Sequence, residues 1–225
     1  MNKIKVLLAD DHTVVRQGLR VLLEAEQDIE VAAEAETGRQ AVQLTLKHLP
    51  DVVVMDIAMP LMNGLEATRQ ILKDAPDVKV LVLSSYNDDA YVHQLTEAGA
   101  VGYLLKQTAA ADLVKGIREA RKGNSFFSPS VSRRLVAQYR ESFLNGAPRH
   151  KRDAQVLTSR EAEVLQLIAE GRPNKQIAAE LGISIKTVEK HRQQVMNKLN
   201  IHEIAGLTRY AIAQGIVESS PSLRN

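Results

Sequence analysis

A small set of polar residues stands where short apolar runs end, and their types suit work on a phosphoryl group. Asp10 and Asp11 follow Ile4–Ala9, and Asp56 follows Val52–Met55. Ser84 and Ser85 follow Val78–Leu83, and Lys106 follows Val101–Leu105. Each has an ordinary alternative: Asp11 as a helix N-cap, Asp56 or Ser84 in a turn, Lys106 as a solvated charge. Their recurrence at successive run ends argues for one shared site. Three carboxylates brought together repel and raise at least one pKa. A hard divalent cation relieves that repulsion, and Mg2+ accepts carboxylate, water and phosphate oxygens. Asp56, the central carboxylate, is then placed to act as a nucleophile and form an aspartyl phosphate. Lys106 would offset charge on the phosphoryl oxygens, and Ser84 would donate a hydrogen bond to one of them.

The elements that must position these groups alternate strictly. The run Val52–Met55 is short, continuous and valine-rich, the mark of a buried parallel strand. Ile4–Ala9, Ile29–Ala33, Val78–Leu83 and Val101–Leu105 are similar. Val15, Leu19 and Leu22 mark one face of a first helix. Gly38–Leu49, Leu65–Ala75, Asp88–Ala98 and Ala110–Lys122 supply the others, with Gly99 and Gly123 at C-cap positions. Pro60 and Gly64 turn the chain after Asp56. Such alternation predicts a parallel sheet with helices on both faces, right-handed crossovers, and ligands at the strands' carboxyl ends. In a flavodoxin-like order, 2-1-3-4-5, these strand ends lie side by side on one edge.

Charge divides the chain. Residues 1–125 hold 14 Lys and Arg against 18 Asp and Glu, a net of 14 − 18 = −4. Residues 126–225 hold 15 against 9, a net of 15 − 9 = +6. A basic second part suits a polyanionic partner. The chain has no cysteine, which removes disulfides, thiolate metal sites and cysteine nucleophiles and fits a reducing cytoplasm. No apolar segment approaches the ~20 residues of a membrane helix. The opening MNKIKVLLADD is shorter than a secretory core and soon meets aspartate. No GxGxxG follows a strand, and no P-loop occurs.

From Asn124 to Val156 the pattern loosens. Ser128–Ser130 reads as a turn, and Val131–Leu144 as a helix with Leu135, Tyr139 and Phe143 spaced by four. Asn145–Asp153 reads as a basic tether. Thr158 and Glu161 then form a capping box. Val164, Leu165 and Ile168 are the buried face of the helix it opens, and Gly171 ends it. A second helix, Asn174–Leu181, buries Ile177, Ala178 and Leu181. Gly182 and Ile183 turn, and Ser184 caps a third helix running to about Leu199. That is the helix-turn-helix pattern. On the third helix Val188, His191, Val195 and Leu199 face inward, while Lys186, Lys190, Gln193 and Asn197 face outward, suited to base edges and phosphates. A fourth helix, Glu203–Gln214, carries Ile204, Leu207, Ala211 and Ile212, more apolar surface than one small core needs. It is therefore expected to pair with a second copy.

ADDH at Ala9–His12, MDIAMPLMNG at Met55–Gly64, VLSS at Val82–Ser85 and GYLLK at Gly102–Lys106 together resemble the receiver domain of two-component response regulators. LTSREAEVLQLIAEG, NKQIAAELGIS and KTVEKHRQQVMNKLNI resemble the LuxR-type DNA-binding domain. The whole chain resembles a NarL/FixJ-type regulator. The resemblance implies a flavodoxin-like (βα)5 receiver over 1–123, a partly helical linker over 124–153, and a four-helix DNA-binding domain over 154–220. It implies that a sensor histidine kinase phosphorylates Asp56. Mg2+ is then held by Asp10, Asp11, Asp56 and the backbone carbonyl of Ala58. Ser84 takes the place of the switch hydroxyl, Tyr103 that of the aromatic that follows it, and Lys106 that of the family lysine. By family position Glu189, Lys190 and Gln193 face bases, and Lys175, Lys186, Thr187 and Arg192 meet phosphates of double-stranded DNA. Glu189 stands where many relatives carry Lys. It either accepts from a cytosine amine or pairs with Lys186 or Arg192. Gln107 replaces a common proline, and Pro173 a common serine cap. The expectation is a cytoplasmic, phosphorylation-dependent transcription regulator that dimerises when phosphorylated and is no enzyme beyond its own phosphorylation and slow dephosphorylation. An aspartyl phosphatase is the rival, but Ala58 leaves no acid two residues beyond the nucleophile. An adaptor without DNA affinity is the other.

Overall fold

The computed structural model describes residues 3–85, 89–107, 110–144 and 157–217, the backbone alone at 89–91 and 138–144. The expected basic tether Asn145–Asp153, the side chains of Tyr139 and Phe143, and the outer ends of the expected second domain lie outside the described residues. The chain forms two compact units, Met1–Ala147 and Pro148–Asn225.

In the first unit, β1 (Ile4–Ala9), β2 (Ile29–Ala35), β3 (Val52–Met55), β4 (Lys79–Ser84), β5 (Gly102–Leu105) and β6 (Phe126–Phe127) form one sheet in the order β2-β1-β3-β4-β5-β6. All its pairings are parallel. The expected order 2-1-3-4-5 is therefore present, extended by one short strand. Between the strands run α1 (Thr13–Glu24), α2 (Gly38–His48), α3 (Gly64–Asp74), α4 (Asp89–Glu97) and α5 (Ala110–Arg121), and α6 (Pro129–Leu144) follows β6.

Strand alternation sorts the core into layers. Val52 and Val54 of β3 join Val6, Leu8, Leu81 and Leu83 beneath Leu23 of α1 and Leu113, Val114 and Ile117 of α5. Val53 and Met55 join Leu7, Ala9 and Val80 beneath Ala41 of α2 and Ala67 and Ile71 of α3. A third cluster gathers Ile57, Val82 and Tyr103 with Val92 and Leu95 of α4 and Val131 of α6. Burying a side chain of this size contributes roughly 1.5–3 kcal/mol, so these layers hold the sheet and its helices together.

The stretch read as a linker from residue 124 thus contributes β6 and α6 to the first unit. Two glycines make room for it. A Cβ on Gly102 would overlap the Phe126 carbonyl oxygen, and one on Gly116 would lie 3.0 Å from the Phe126 ring. Ser128 N–H donates to the Tyr103 carbonyl at 3.0 Å, and Ser128 Oγ accepts from Leu105 N at 3.1 Å.

The second unit holds α7 (Ser159–Ala169), α8 (Asn174–Leu181), α9 (Ile185–Leu199) and α10 (Ile204–Ala213). Thr158 and Glu161 make the capping box in both directions. Gly182 takes φ +62°, the left-handed conformation a glycine adopts without strain, and ends α8. Ser184 then accepts from Thr187 N and opens α9. Val164, Leu165, Ile177, Val188, Val195, Leu207 and Ala211 are fully buried. Among the described residues no helix is long and apolar enough to cross a membrane.

Candidate functional site

The register of the sheet brings the polar strand ends together. Ala9 pairs with Met55, and Met55 with Val82, so β1, β3 and β4 are aligned where Asp10 and Asp56 begin. Asp56 N donates to Ala9 O at 2.8 Å, which fixes the two ends against each other. Ser84 is the last residue of β4 and pairs with Leu105, and Lys106 N donates to Ser84 O at 2.8 Å. Lys106 is thereby carried to the same edge.

The loop after β3 folds back tightly. Ile57 N donates to Asp56 Oδ1 at 2.8 Å, and Gly64 N donates to Ile57 O at 2.7 Å. Gly64 permits this approach, since a Cβ there would overlap the Asp56 carbonyl oxygen. Leu61 takes φ +67° between Pro60 and Met62, a left-handed turn at a non-glycine residue. Ala58 lies buried in this loop, two residues beyond Asp56.

Asp10 and Asp56 are buried, at 2% and 4% exposure. Lys106 Nζ lies 2.7 Å from Asp10 Oδ2 and 2.8 Å from Asp56 Oδ2. Carboxylate oxygens of Asp10, Asp11 and Asp56 and a nitrogen of His12 lie within 4.8 Å of one another. His12 Nδ1 is 2.8 Å from Asp11 Oδ1. Burial pushes the Asp56 carboxyl up to about 6; Asp10 adds to the rise and Lys106 opposes it. The sequence predicts a raised carboxyl here through repulsion, but withdrawal from water is the larger cause. For Lys106, burial pulls the pKa down, yet Asp56 and Asp10 outweigh it and the ammonium is held above its usual value. Three carboxylates face one ammonium, and the donors are mostly hard oxygens. That set fits a divalent cation such as Mg2+.

Ser84 is fully buried beside this group, and Tyr103 is 1% exposed within the third cluster. Asp11 does not cap α1: the N-cap position is His12, whose side chain makes no capping bond. Sequence reasoning assigned no role to His12 or to Arg16. Arg16 falls on the apolar side of α1 with Leu23, and a cation there is the signal that marks it.

In the second unit, Lys175, Lys186, Glu189, Lys190 and Gln193 are exposed, while Thr187 and Arg192 are half-buried. Thr187 Oγ1 is 2.9 Å from Ser184 Oγ, and Gln193 donates to Asn197 at 2.9 Å. Arg192 Nη1 reaches Asn174 Oδ1 at 3.5 Å and so ties α9 to α8. Among the described residues no ion pair joins Glu189 to Lys186 or Arg192, so the intrahelical pairing is not formed. His191 keeps Nδ1 buried without a partner.

A parallel sheet with an acidic pocket at its carboxyl edge, in one chain with a helix-turn-helix unit, defines a class of protein: the two-component regulator of transcription. Residues 6–118 match the response regulator receiver domain, and residues 155–211 match the bacterial regulatory proteins of the luxR family. The transcriptional regulatory protein LiaR of Bacillus subtilis (strain 168) is 43% identical over 208 residues, covering 92% of this chain and 96% of that one. The Salmonella typhimurium RcsB response regulator, in a structure titled for conformational dynamism in DNA interaction, aligns with TM-score 0.62 at 29% identity. The alignment covers 95% of this chain and 99% of that chain. The RcsB–DNA complex aligns with TM-score 0.56 at 30% identity over 93% of this chain and 98% of that one. The chain belongs to the NarL/FixJ-type response regulators and is a transcriptional regulator of a two-component system.

Proposed function

We propose that a histidine kinase transfers a phosphoryl group to Asp56 and that this switches sequence-specific binding of duplex DNA by the second unit. The observation that carries the reading is the buried Asp56 carboxylate, paired with Lys106 at 2.8 Å and flanked by Asp10 and Asp11. In the transfer, an Asp56 oxygen bonds to phosphorus as the phosphorus–nitrogen bond to the kinase histidine breaks. Asp10, Asp11, Asp56 and the Ala58 backbone carbonyl would hold Mg2+, which when bound neutralises charge on the phosphoryl oxygens. Lys106 keeps its ammonium charged and stabilises those oxygens from the other side. Ser84 supplies a hydroxyl to one of them, and Tyr103, two strand positions before Leu105, responds to its movement.

The receiver core spans 1–123, with β6 and α6 extending it, and the DNA-binding domain spans 154–220. On α9, Glu189, Lys190 and Gln193 face bases; Lys186, Thr187 and Arg192 of α9 and Lys175 of α8 meet phosphates. The unpaired Glu189 favours the reading in which its carboxylate accepts from a cytosine amine. The phosphorylated chain dimerises. Ile204 and Ile212 of α10, 51% and 37% exposed, offer one apolar surface for that pairing. A kinase-fed regulator that binds DNA works in the cytoplasm, with no activity beyond its own phosphorylation and slow dephosphorylation.

The test is direct. The Mg2+-loaded chain, given acetyl phosphate, gains the mass of one phosphoryl group at Asp56, and its DNA affinity changes. An Asp56→Ala chain that gains the same mass, or responds to the donor as before, refutes the assignment.

A further inference from the structure

Arg16 is a buried cation that the phosphoryl chemistry does not use. It is 6% exposed, on the side of α1 that packs against the sheet. A guanidinium withdrawn from water persists only where its N–H groups are matched. Here they are matched from three directions. Nη1 donates to the Asp10 backbone carbonyl at 2.7 Å, Nη2 to Glu36 at 2.7 Å, and Nε to Glu34 at 3.1 Å.

The bond to the Asp10 carbonyl is the informative one. That carbonyl belongs to the peptide plane joining Asp10 to Asp11, and the plane is rigid. Its rotation decides how the Asp11 side chain is aimed relative to Asp10. The rest of Asp10 is already held: its N–H by Ala35 O at 3.0 Å, Oδ1 by His12 N at 2.9 Å, and Oδ2 by Lys106 at 2.7 Å. Of these contacts, the bond from Arg16 to the carbonyl is the one that acts on the plane leading into Asp11. Glu34 and Glu36 brace the guanidinium against the end of β2, and Arg20 also donates to Glu34. A lysine, with a single nitrogen, cannot span three acceptors in these directions.

We propose that Arg16 is a positioning residue for the metal-binding carboxylates: it sets the Asp10–Asp11 peptide plane and so aims both carboxylates at Mg2+. It touches neither the ion nor the phosphoryl group. The proposal rests on the Mg2+-dependent reading above, and it goes beyond that reading by naming what pre-organises the pocket.

The experiment uses the full chain as wild type, Arg16→Met, Arg16→Lys and Glu36→Gln. Mg2+ affinity is measured by titration calorimetry without any phosphodonor. The initial rate of phosphoryl uptake from acetyl phosphate is then followed against Mg2+ concentration. Arg16→Met is expected to weaken Mg2+ binding about tenfold, as loss of a partner behind a metal ligand does. The half-saturating Mg2+ concentration moves with it, while the rate at saturating Mg2+ stays within about twofold, a loss of binding alone. Arg16→Lys, which keeps the charge but only one donor nitrogen, falls between and stands in should Arg16→Met not fold. Glu36→Gln removes the charge of one brace, keeps an oxygen that can accept from Nη2 and leaves the carbonyl bond in place, so it keeps wild-type Mg2+ affinity. Wild-type affinity in Arg16→Met, or in Arg16→Lys where only that variant folds, overturns the proposal. So does a loss in Glu36→Gln as large as in Arg16→Met. A wild-type chain that binds no Mg2+ overturns the functional reading itself and the proposal with it.

Discussion

Lys106 Nζ donates to Asp56 Oδ2 at 2.8 Å across fifty residues of chain. The contact exists because β5 ends level with β4 and delivers Lys106 to the pocket that β3 closes. Without the ammonium, Asp10 and Asp56 face each other buried and uncompensated. Lys106→Met is therefore expected to slow phosphoryl uptake by about 10²-fold, the usual effect of removing one donor aimed at developing charge. A time course by intact mass, at saturating Mg2+, reads this. Uptake at the wild-type rate would show that Lys106 only balances charge in the resting chain.

The raised Asp56 carboxyl makes stability depend on pH in a definite direction. Its folded-state pKa, about 6, lies above the ordinary value of 3.8. The folded chain thus binds the proton more tightly than the unfolded chain. The stabilisation is complete below about pH 4 and is lost as pH rises through about 6. In metal-free buffer above pH 7, Asp56→Asn should then be more stable than wild type by on the order of 2 kcal/mol, with the difference vanishing near pH 4. Thermal unfolding in chelator across that range measures it. A difference that grows as pH falls would mean the sign is wrong.

In the second unit, Lys198 Nζ holds Glu161 Oε2 at 2.6 Å and ties α9 to the start of α7. Burial pushes the Glu161 carboxyl up, but the bonds from Lys198 and from Thr158 outweigh it and its pKa is lowered. The stabilisation is present above the ordinary carboxylate value and lost as pH falls through the lower folded value. Lys198→Met should destabilise this unit by about 1–2 kcal/mol at pH 7 and by less in acid. The unfolding transition of the second unit, followed at both pH values, decides it.

Much of this was legible in the residues. β3 and the helix-turn-helix could be read because short valine runs, glycine caps and a capping box each act locally, within a few positions. The site could be read because Asp10, Asp56 and Lys106 follow such runs directly. What escaped depends on distant partners. Phe126 and Phe127 form a strand only because Gly102 leaves space for their backbone. Arg16 looks like a solvated charge until Glu34, Glu36 and the Asp10 carbonyl are folded around it. The cause of the Asp56 shift escaped too, since burial is a property of the packed loop rather than of the sequence spacing.

On α9, Lys186 and Lys190 are both exposed, yet they should differ in what they report. Lys186→Ala is expected to weaken binding evenly across duplex sequences and to lower the salt dependence of affinity by about one counterion. Lys190→Ala should instead relax discrimination between duplexes, by about 1–3 kcal/mol at one position. Binding measured on a selected duplex and a scrambled one, over a range of salt, separates the two. Equal losses on both duplexes for Lys190→Ala would move it from the base-facing set to the phosphate-contacting one.

Gly102 offers a test of whether β6 and α6 are structural parts of the receiver. A methyl group there would overlap the Phe126 carbonyl and stand 2.8 Å from Leu81 Cδ1, so either β6 lifts away or the core shifts. Lifting β6 frees Ser128 from Tyr103 and Leu105, and with it Val131, which is fully buried against Tyr103, Val92 and Leu95. Gly102→Ala should therefore lower stability of the first unit by about 1–3 kcal/mol, the usual effect of overpacking. It should also speed chymotryptic cleavage at Phe126 and Phe127, while the rate of phosphoryl uptake at Asp56 stays near wild type. A chain that loses stability without faster cleavage would place the strain in the Leu81 layer instead, and β6 would not be the element that Gly102 admits.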